Sequence, residues 1–169
     1  SIVARDATHI DFTLRKGMMW TNGFGEVTTE DVAYSYDREA VSEWKGDYVA
    51  YDHVEIKDKY SGTIVLNQPF APFMNTTLAS GTGIIICKKA VEAAGGKFTT
   101  EQPASCGPYL ISEHRPGQVL KLRSNPEWNG AKPAYENIDC LFVTESSAAA
   151  LAYEAGELDI AKVSADTYA

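Results

Sequence analysis

The sequence has no excess of basic residues. Over 169 residues, 15 Lys and Arg face 23 Asp and Glu, a net charge of −8. The first hundred residues carry 10 basic and 13 acidic groups and the rest 5 and 10. Neither part offers the positive footprint a phosphate backbone needs, which excludes nucleic acid as a partner class. No apolar run approaches the roughly 18 residues of a membrane span; the longest candidate, Gly83–Cys87, has the length of a buried strand. No signal peptide opens the chain: Ser1-Ile2-Val3 leads straight into Arg5 and Asp6. Ser164 to Thr167 reads as a helix start that stops within a turn, so the chain is expected to be cut at both ends.

Chemistry-bearing patterns are also scarce. The three cysteines, Cys87, Cys106 and Cys140, lack any CxxC spacing, which argues against a structural zinc site. His9, His53 and His114 form no HExxH and no pair at helical ligand spacing. There is no GxSxG elbow for a hydrolase nucleophile. The glycine pairs Gly23/Gly25 and Gly81/Gly83 are too short to cradle a phosphate and read as turn glycines. The one catalytic pairing to weigh is Cys106 with His114, because a thiolate needs a base within hydrogen-bond reach. The two residues lie a whole strand apart, and a structural thiol is the simpler reading.

What is present is a globular composition, 44% hydrophobic and 11% aromatic, enough for a substantial core. Ile10, Phe12 and Leu14 alternate with polar residues as in a half-buried strand. Thr28 and Asp31 form a loose capping box for a helix reaching about Ala40, with Val32 and Tyr36 inward. Val54–Ile56 and Thr63–Asn67 read as a hairpin turning at Tyr60-Ser61-Gly62. Pro72 fits the first turn of a short helix reaching about Ser80, Ile84–Ile86 reads as a strand, and Lys88–Ala94 as a helix closed by Gly95-Gly96. The polar stretch Lys97–Ser105 is the best candidate boundary. Beyond it follow a hairpin turning at Arg115–Gln118, a strand at Ile138–Val143, an Ala-rich helix at Ser146–Ala155 and a last strand at Leu158–Val163. Strands and helices mix without strict βα alternation, which predicts a mixed α+β (α/β) fold. The aromatic set Trp20, Trp44, Tyr48 and Tyr51 is dense, and core packing accounts for it more simply than ligand stacking.

Three blocks carry a resemblance. Phe12-Thr13-Leu14-Arg15-Lys16-Gly17-Met18-Met19-Trp20-Thr21-Asn22-Gly23, followed by Thr28–Tyr36, resembles a signature of the extracytoplasmic solute-binding proteins of family 5. Gly107-Pro108-Tyr109, Pro116-Gly117-Gln118 and Leu122–Trp128 are similar to a second family block, and Ala155–Ala161 to a third. Asn22 stands where the family usually has Asp, and Trp128 where it has Tyr.

The resemblance implies a periplasmic-binding-protein-like fold, namely the N-terminal portion of a two-lobed receptor with an extra domain. Residues 1–103 would supply the extra domain and 104–169 part of the adjoining ligand-binding lobe. It implies a fragment of an ABC-importer receptor in the periplasm or extracytoplasmic space. Such a receptor captures an oligopeptide or related small solute for a membrane permease, without catalysis, cofactor or metal. The ligand stays open among peptides, nickel chelates, sugars and opines. Lys162, Val163 and Ser164 would match a cleft-lining strand end, with Lys162 suited to a solute carboxylate, and Tyr48 an aromatic that the extra domain offers to ligand. The other readings are a Cys/His hydrolase-type enzyme and a structural module that binds nothing alone. Outside the cytoplasm disulfides persist, which leaves a Cys87–Cys106 bridge open.

Overall fold

A computed structural model of the chain describes residues 1–97, 104–162 and 164–165. The core of the expected boundary, residues 98–103, and Val163 lie outside the described residues, as do residues 166 and 167 of the anticipated final helix start. The chain forms two compact units. The first comprises Ser1–Pro108 with Asn125–Lys132, the second Tyr109–Ser124 with Pro133–Ala169.

The first unit is built on an antiparallel sheet. Strands β1 (Ile2–Ala4) and β2 (His9–Thr13) come first, then the short pair β3 (Met19–Trp20) and β4 (Gly25–Glu26) and helix α1 (Thr29–Glu39). Strands β5 (Tyr51–Ile56) and β6 (Ser61–Leu66) complete a sheet ordered β1-β2-β6-β5. Alternation in β2 points Ile10 and Phe12 inward, and register places Ile10 opposite Ile64 and Ile64 opposite Val54. These three buried side chains form one cross-strand row, the unit of sheet stabilisation. Each contributes about 1.5–3 kcal/mol through burial. Phe12 faces Gly62, where a Cβ would sit 2.8 Å from the Phe12 ring and from the Glu55 carbonyl. Only glycine admits that ring.

The sheet face is covered by Val32 and Tyr36 of α1 and by an aromatic cluster of Tyr36, Tyr48, Tyr51 and Phe73. Their rings meet edge-on or tilted at centroid distances of 5.6–6.3 Å, within the favoured range for aromatic pairs. A second cluster collects Trp20, Val27, Cys87, Ala90 and Ala104, with Ala90 on helix α2 (Lys88–Ala93).

Three local expectations shift. The β5–β6 turn falls at residues 57–60, because Asp58 accepts hydrogen bonds from the Tyr60 and Ser61 amides and lets pairing start at Ser61. The segment after Pro72 is a π-helix, Phe73–Thr77, with the Leu78 amide donating to the Phe73 carbonyl. Ile84–Ile86 joins no ladder; the Ile86 amide instead donates to Ser35 Oγ at 2.9 Å.

The second unit contains the antiparallel sheet β7-β8-β9 (Tyr109–Arg115, Val119–Ser124, Asn137–Leu141) and helix α3 (Ser146–Glu154). Gly156, at φ +76°, closes α3, with the Glu157 amide donating to the Ala152 carbonyl at 2.8 Å. Residues 158–162 form no strand. All strand pairings among the described residues are antiparallel, in keeping with the mixed α+β expectation.

Candidate functional site

The described residues of the first unit hold a cavity of about 410 Å³ lined by Glu39, Trp44, Asp47, Ser80, Gly81 and Thr82. Its walls come from three places in the chain. Glu39 is the last residue of α1, and Trp44 and Asp47 belong to the 3-10 turn Lys45–Tyr48 and its cap. Ser80 to Thr82 follow the π-helix.

Hydrogen bonds across the sequence hold these walls together. Thr77 Oγ1 donates to the Asp47 carbonyl at 2.9 Å, and Tyr48 Oη donates to the Thr82 carbonyl at 2.8 Å. Thr82 Oγ1 reaches Asp47 Oδ2 at 3.3 Å and lies 2.7 Å from Ser80 Oγ. Ser42 Oγ donates to Glu39 Oε2 at 3.0 Å. A π-turn beside such a cavity fits the tendency of π-bulges to occur at functional sites. Trp44 is 59% exposed, whereas Trp20, Tyr48 and Tyr51 are buried. The dense aromatic set therefore divides, three members in the core and one indole open to solvent.

Tyr48, the aromatic singled out in the sequence, is 3% exposed. Its ring packs between Tyr36, Tyr51 and Phe73. Burial raises its phenol above the ordinary tyrosine range, and the charges of Tyr36, Glu39 and Asp47 push the same way. The neighbouring phenols respond alike: burial pushes Tyr36 up to about 12, and burial with the Asp37 hydrogen bond raises Tyr51. Tyr48 thus lies behind the cavity wall and stays a neutral hydrogen-bond donor. Lys162 is exposed in the second unit, and the Ser164 amide donates to Ser146 Oγ at 2.6 Å.

The cavity residues other than Trp44 and the turn glycine Gly81 carried no sequence signal, and Tyr48 behind them stood out only as an aromatic. They come from segments far apart in the chain, and no local pattern joins them.

The Cys106 thiol is pushed up to about 11, chiefly by burial, and burial also raises Cys87. A thiol raised in this way is protonated at neutral pH, the opposite of an activated nucleophile. Cys106 lies in the first unit and His114 in the second. All three cysteines are free thiols, so the Cys87–Cys106 bridge considered from sequence is not formed. Both side chains sit against one apolar cluster and act there as small hydrophobes.

The signature blocks each have a structural task. Asn22 at φ +61° and Gly23 at φ +74° turn the chain between β3 and β4. Trp20 is buried and its Nε1 donates to Asp31 Oδ2 at 3.3 Å. The same oxygen accepts from the Thr28 amide at 2.9 Å, while Oδ1 accepts from the Lys88 amide at 3.0 Å. Asp31, 6% exposed, thereby joins the starts of α1 and α2 to the indole. In the second block, Asn125 is buried; its amide donates to the Pro108 carbonyl and its Nδ2 to the Gly107 carbonyl, both at 2.8 Å. The third block is the Gly156 closure of α3.

Over residues 2–169 the sequence matches the profile described as Bacterial extracellular solute-binding proteins, family 5 Middle. The chain belongs to this family. Among family 5 relatives, it is 30% identical over 157 residues to the Probable D,D-dipeptide-binding periplasmic protein DdpA of Escherichia coli K12, covering 89% of this chain and 30% of that protein. The structure is similar to that of the binding protein MoaA from A. tumefaciens R10 in complex with mannopinic acid. The TM-score is 0.80 at 32% identity, over 94% of this chain and 33% of that one. It also resembles the oligopeptide-binding protein AppA from Bacillus subtilis in complex with a nonapeptide, with a TM-score of 0.82 at 23% identity, over 99% of this chain and 35% of that one. The fold is thus part of the periplasmic-binding-protein architecture, and the chain spans about a third of the length of these relatives.

Proposed function

We propose that this chain is part of a two-lobed ABC-importer receptor that captures a small peptide-like solute outside the cytoplasm and delivers it to a membrane permease. The observation that carries this reading is the family 5 match along residues 2–169. DdpA is named for a D,D-dipeptide, AppA holds a nonapeptide and MoaA holds mannopinic acid. A polar solute of peptide or opine size is the class these relatives suggest.

On this reading residues 1–103 form the extra domain and residues 104–169 part of the adjoining lobe, with the opposing lobe supplied by further sequence of the receptor. Lys162 and Ser164 line the cleft, and the Lys162 ammonium meets a solute carboxylate. Tyr48 shapes the solute-facing surface from behind, through its bond to Thr82. Binding rests on hydrogen bonds and aromatic walls, with no catalytic residue and no cofactor.

The test is calorimetry on the complete receptor containing this sequence, titrated with Ala-Ala-Ala, its C-terminal amide and mannopinic acid. Saturable binding of at least one is expected. Lys162→Ala should weaken the free-carboxylate peptide about tenfold, as for loss of a charge-assisted hydrogen bond, and leave the amide unchanged. Tyr48→Ala should also lower affinity. Equal loss for acid and amide removes Lys162 from the site, and an unchanged affinity in Tyr48→Ala removes Tyr48.

A further inference from the structure

The cavity on the first unit has a chemical character that goes beyond the receptor reading. Two carboxylates, Glu39 and Asp47, line it, and among the described residues no Lys, Arg or His forms an ion pair with either. Lys45 lies on the same 3-10 turn and is paired with neither. Their side-chain hydrogen-bond donors among the described residues are neutral hydroxyls, Ser42 for Glu39 and Thr82 for Asp47. Each engages only one carboxylate oxygen and leaves acceptor capacity on the other. The third element is the Trp44 indole, 59% exposed on the same cavity. An open indole costs apolar hydration, and its ring face attracts a cation. Ser80 and Thr82 add hydroxyl oxygens that accept from N–H donors.

An anion is disfavoured in this cavity by two negative charges, and a purely apolar group would strip water from both without replacing its hydrogen bonds. A cation carrying several N–H donors satisfies the carboxylates, the hydroxyls and the ring face together. A volume of about 410 Å³ falls within the range of small-molecule sites and accommodates a guanidinium or ammonium on its alkyl stem.

We infer that the Glu39–Trp44–Asp47 cavity is a subsite for an organic cation, a guanidinium or primary ammonium group, of the captured solute. The inference rests on the receptor reading for the identity of its occupant, while the subsite itself lies wholly within residues of this chain. The group has two sources, a basic side chain of a peptide or a free small amine, and both present the same chemistry.

The experiment titrates the complete receptor containing this sequence calorimetrically at low salt with agmatine, Ala-Arg-Ala and Ala-citrulline-Ala, whose citrulline is isosteric with arginine but neutral. Wild type is expected to bind at least one of the two guanidinium probes saturably and about tenfold or more tighter than the citrulline peptide. Trp44→Ala should weaken that binding about 2–5-fold, as for an exposed cation–π contact. The double variant Glu39→Gln/Asp47→Asn should weaken it about tenfold. Trp44 is exposed, and each amide of the double variant keeps the size and one accepting oxygen of the carboxylate it replaces, so folding is retained; circular dichroism of each variant checks it. Ala-Arg-Ala binding more tightly than agmatine assigns the source to a peptide, and equal binding assigns it to a free amine. Absence of saturable binding by both guanidinium probes, binding of the citrulline peptide at equal strength, or unchanged affinity in the double variant overturns the inference. If the citrulline peptide binds as well as Ala-Arg-Ala, the cation subsite fails while the receptor reading stands. Calorimetry with Ala-Ala-Ala and mannopinic acid, which carry no guanidinium, decides the receptor reading by itself.

Discussion

Asp31 gathers three donors of the first unit on one carboxylate, and removing it gives a quantitative test of how that unit is held. One oxygen accepts from the Thr28 amide at 2.9 Å and from Trp20 Nε1 at 3.3 Å, and the other from the Lys88 amide at 3.0 Å. Asp31→Ala leaves these donors without their acceptor. The buried indole N–H left unsatisfied costs about 1–3 kcal/mol, and the two part-buried amides, one of them the helix-start bond, about 1 kcal/mol each. Relief of the carboxylate's own desolvation offsets part of this. A net loss of about 3–4 kcal/mol follows, a large fraction of the roughly 5–15 kcal/mol total of a domain. Urea unfolding followed by near-ultraviolet circular dichroism reads it. At an m-value of about 2–3 kcal/mol/M, the midpoint falls by about 1–2 M. Asp31→Asn keeps the volume and one accepting oxygen and should lose about half as much. A loss below about 1 kcal/mol in Asp31→Ala would refute the reasoning, since that is less than the cost of a single unsatisfied amide.

Two further outcomes follow from charge and burial. Glu26 accepts from Lys59 Nζ at 2.6 Å, from the Gly17 amide and from Tyr60 Oη at 2.9 Å, and these hold its carboxyl down from 4.5 to about 2. A carboxyl lowered on folding stabilises the protein above its unfolded value, and that stability is lost as pH falls through the folded value. Glu26→Gln should therefore be less stable than wild type at pH 7, with the difference shrinking from about 4.5 towards 2; pH-resolved urea midpoints check this, and a constant difference would contradict it. For the thiols, Ellman titration should label exposed Cys140 first and Cys87 only on unfolding, with three equivalents reached in denaturant. Cys106, its thiol pushed up to about 11, should lag behind Cys140 at neutral pH and gain as pH rises.

The features legible in the sequence are those set by neighbours along the chain. Alternation placed Ile10 and Phe12 on the buried face of β2, and Thr28 with Asp31 marked the start of α1. The signature blocks carried the family directly. The misplaced features depend on side-chain hydrogen bonds to the backbone, some of them to partners far away in sequence. Ile84–Ile86 has strand composition, but Ser35, fifty-one residues before Ile86, captures its amide and no ladder forms. Asp58 moved the β5–β6 turn by capturing two amides beyond it, a choice that β-propensity does not encode. The cavity was invisible for the same reason: Glu39, Asp47 and Thr82 meet only because Tyr48 and Thr77 fasten the 3-10 turn to the segment around the π-helix. Tyr48 stood out as an aromatic, and its burial behind the cavity wall emerges only from packing against Tyr36, Tyr51 and Phe73.

The receptor proposed above captures its solute without chemistry. The most direct test is calorimetry of the complete receptor with Ala-Ala-Ala and mannopinic acid, each mixture then analysed by mass spectrometry. Saturable one-to-one binding of one of them, with the solute recovered intact, is the predicted result. No saturable binding of either, or a cleaved peptide, would contradict the account.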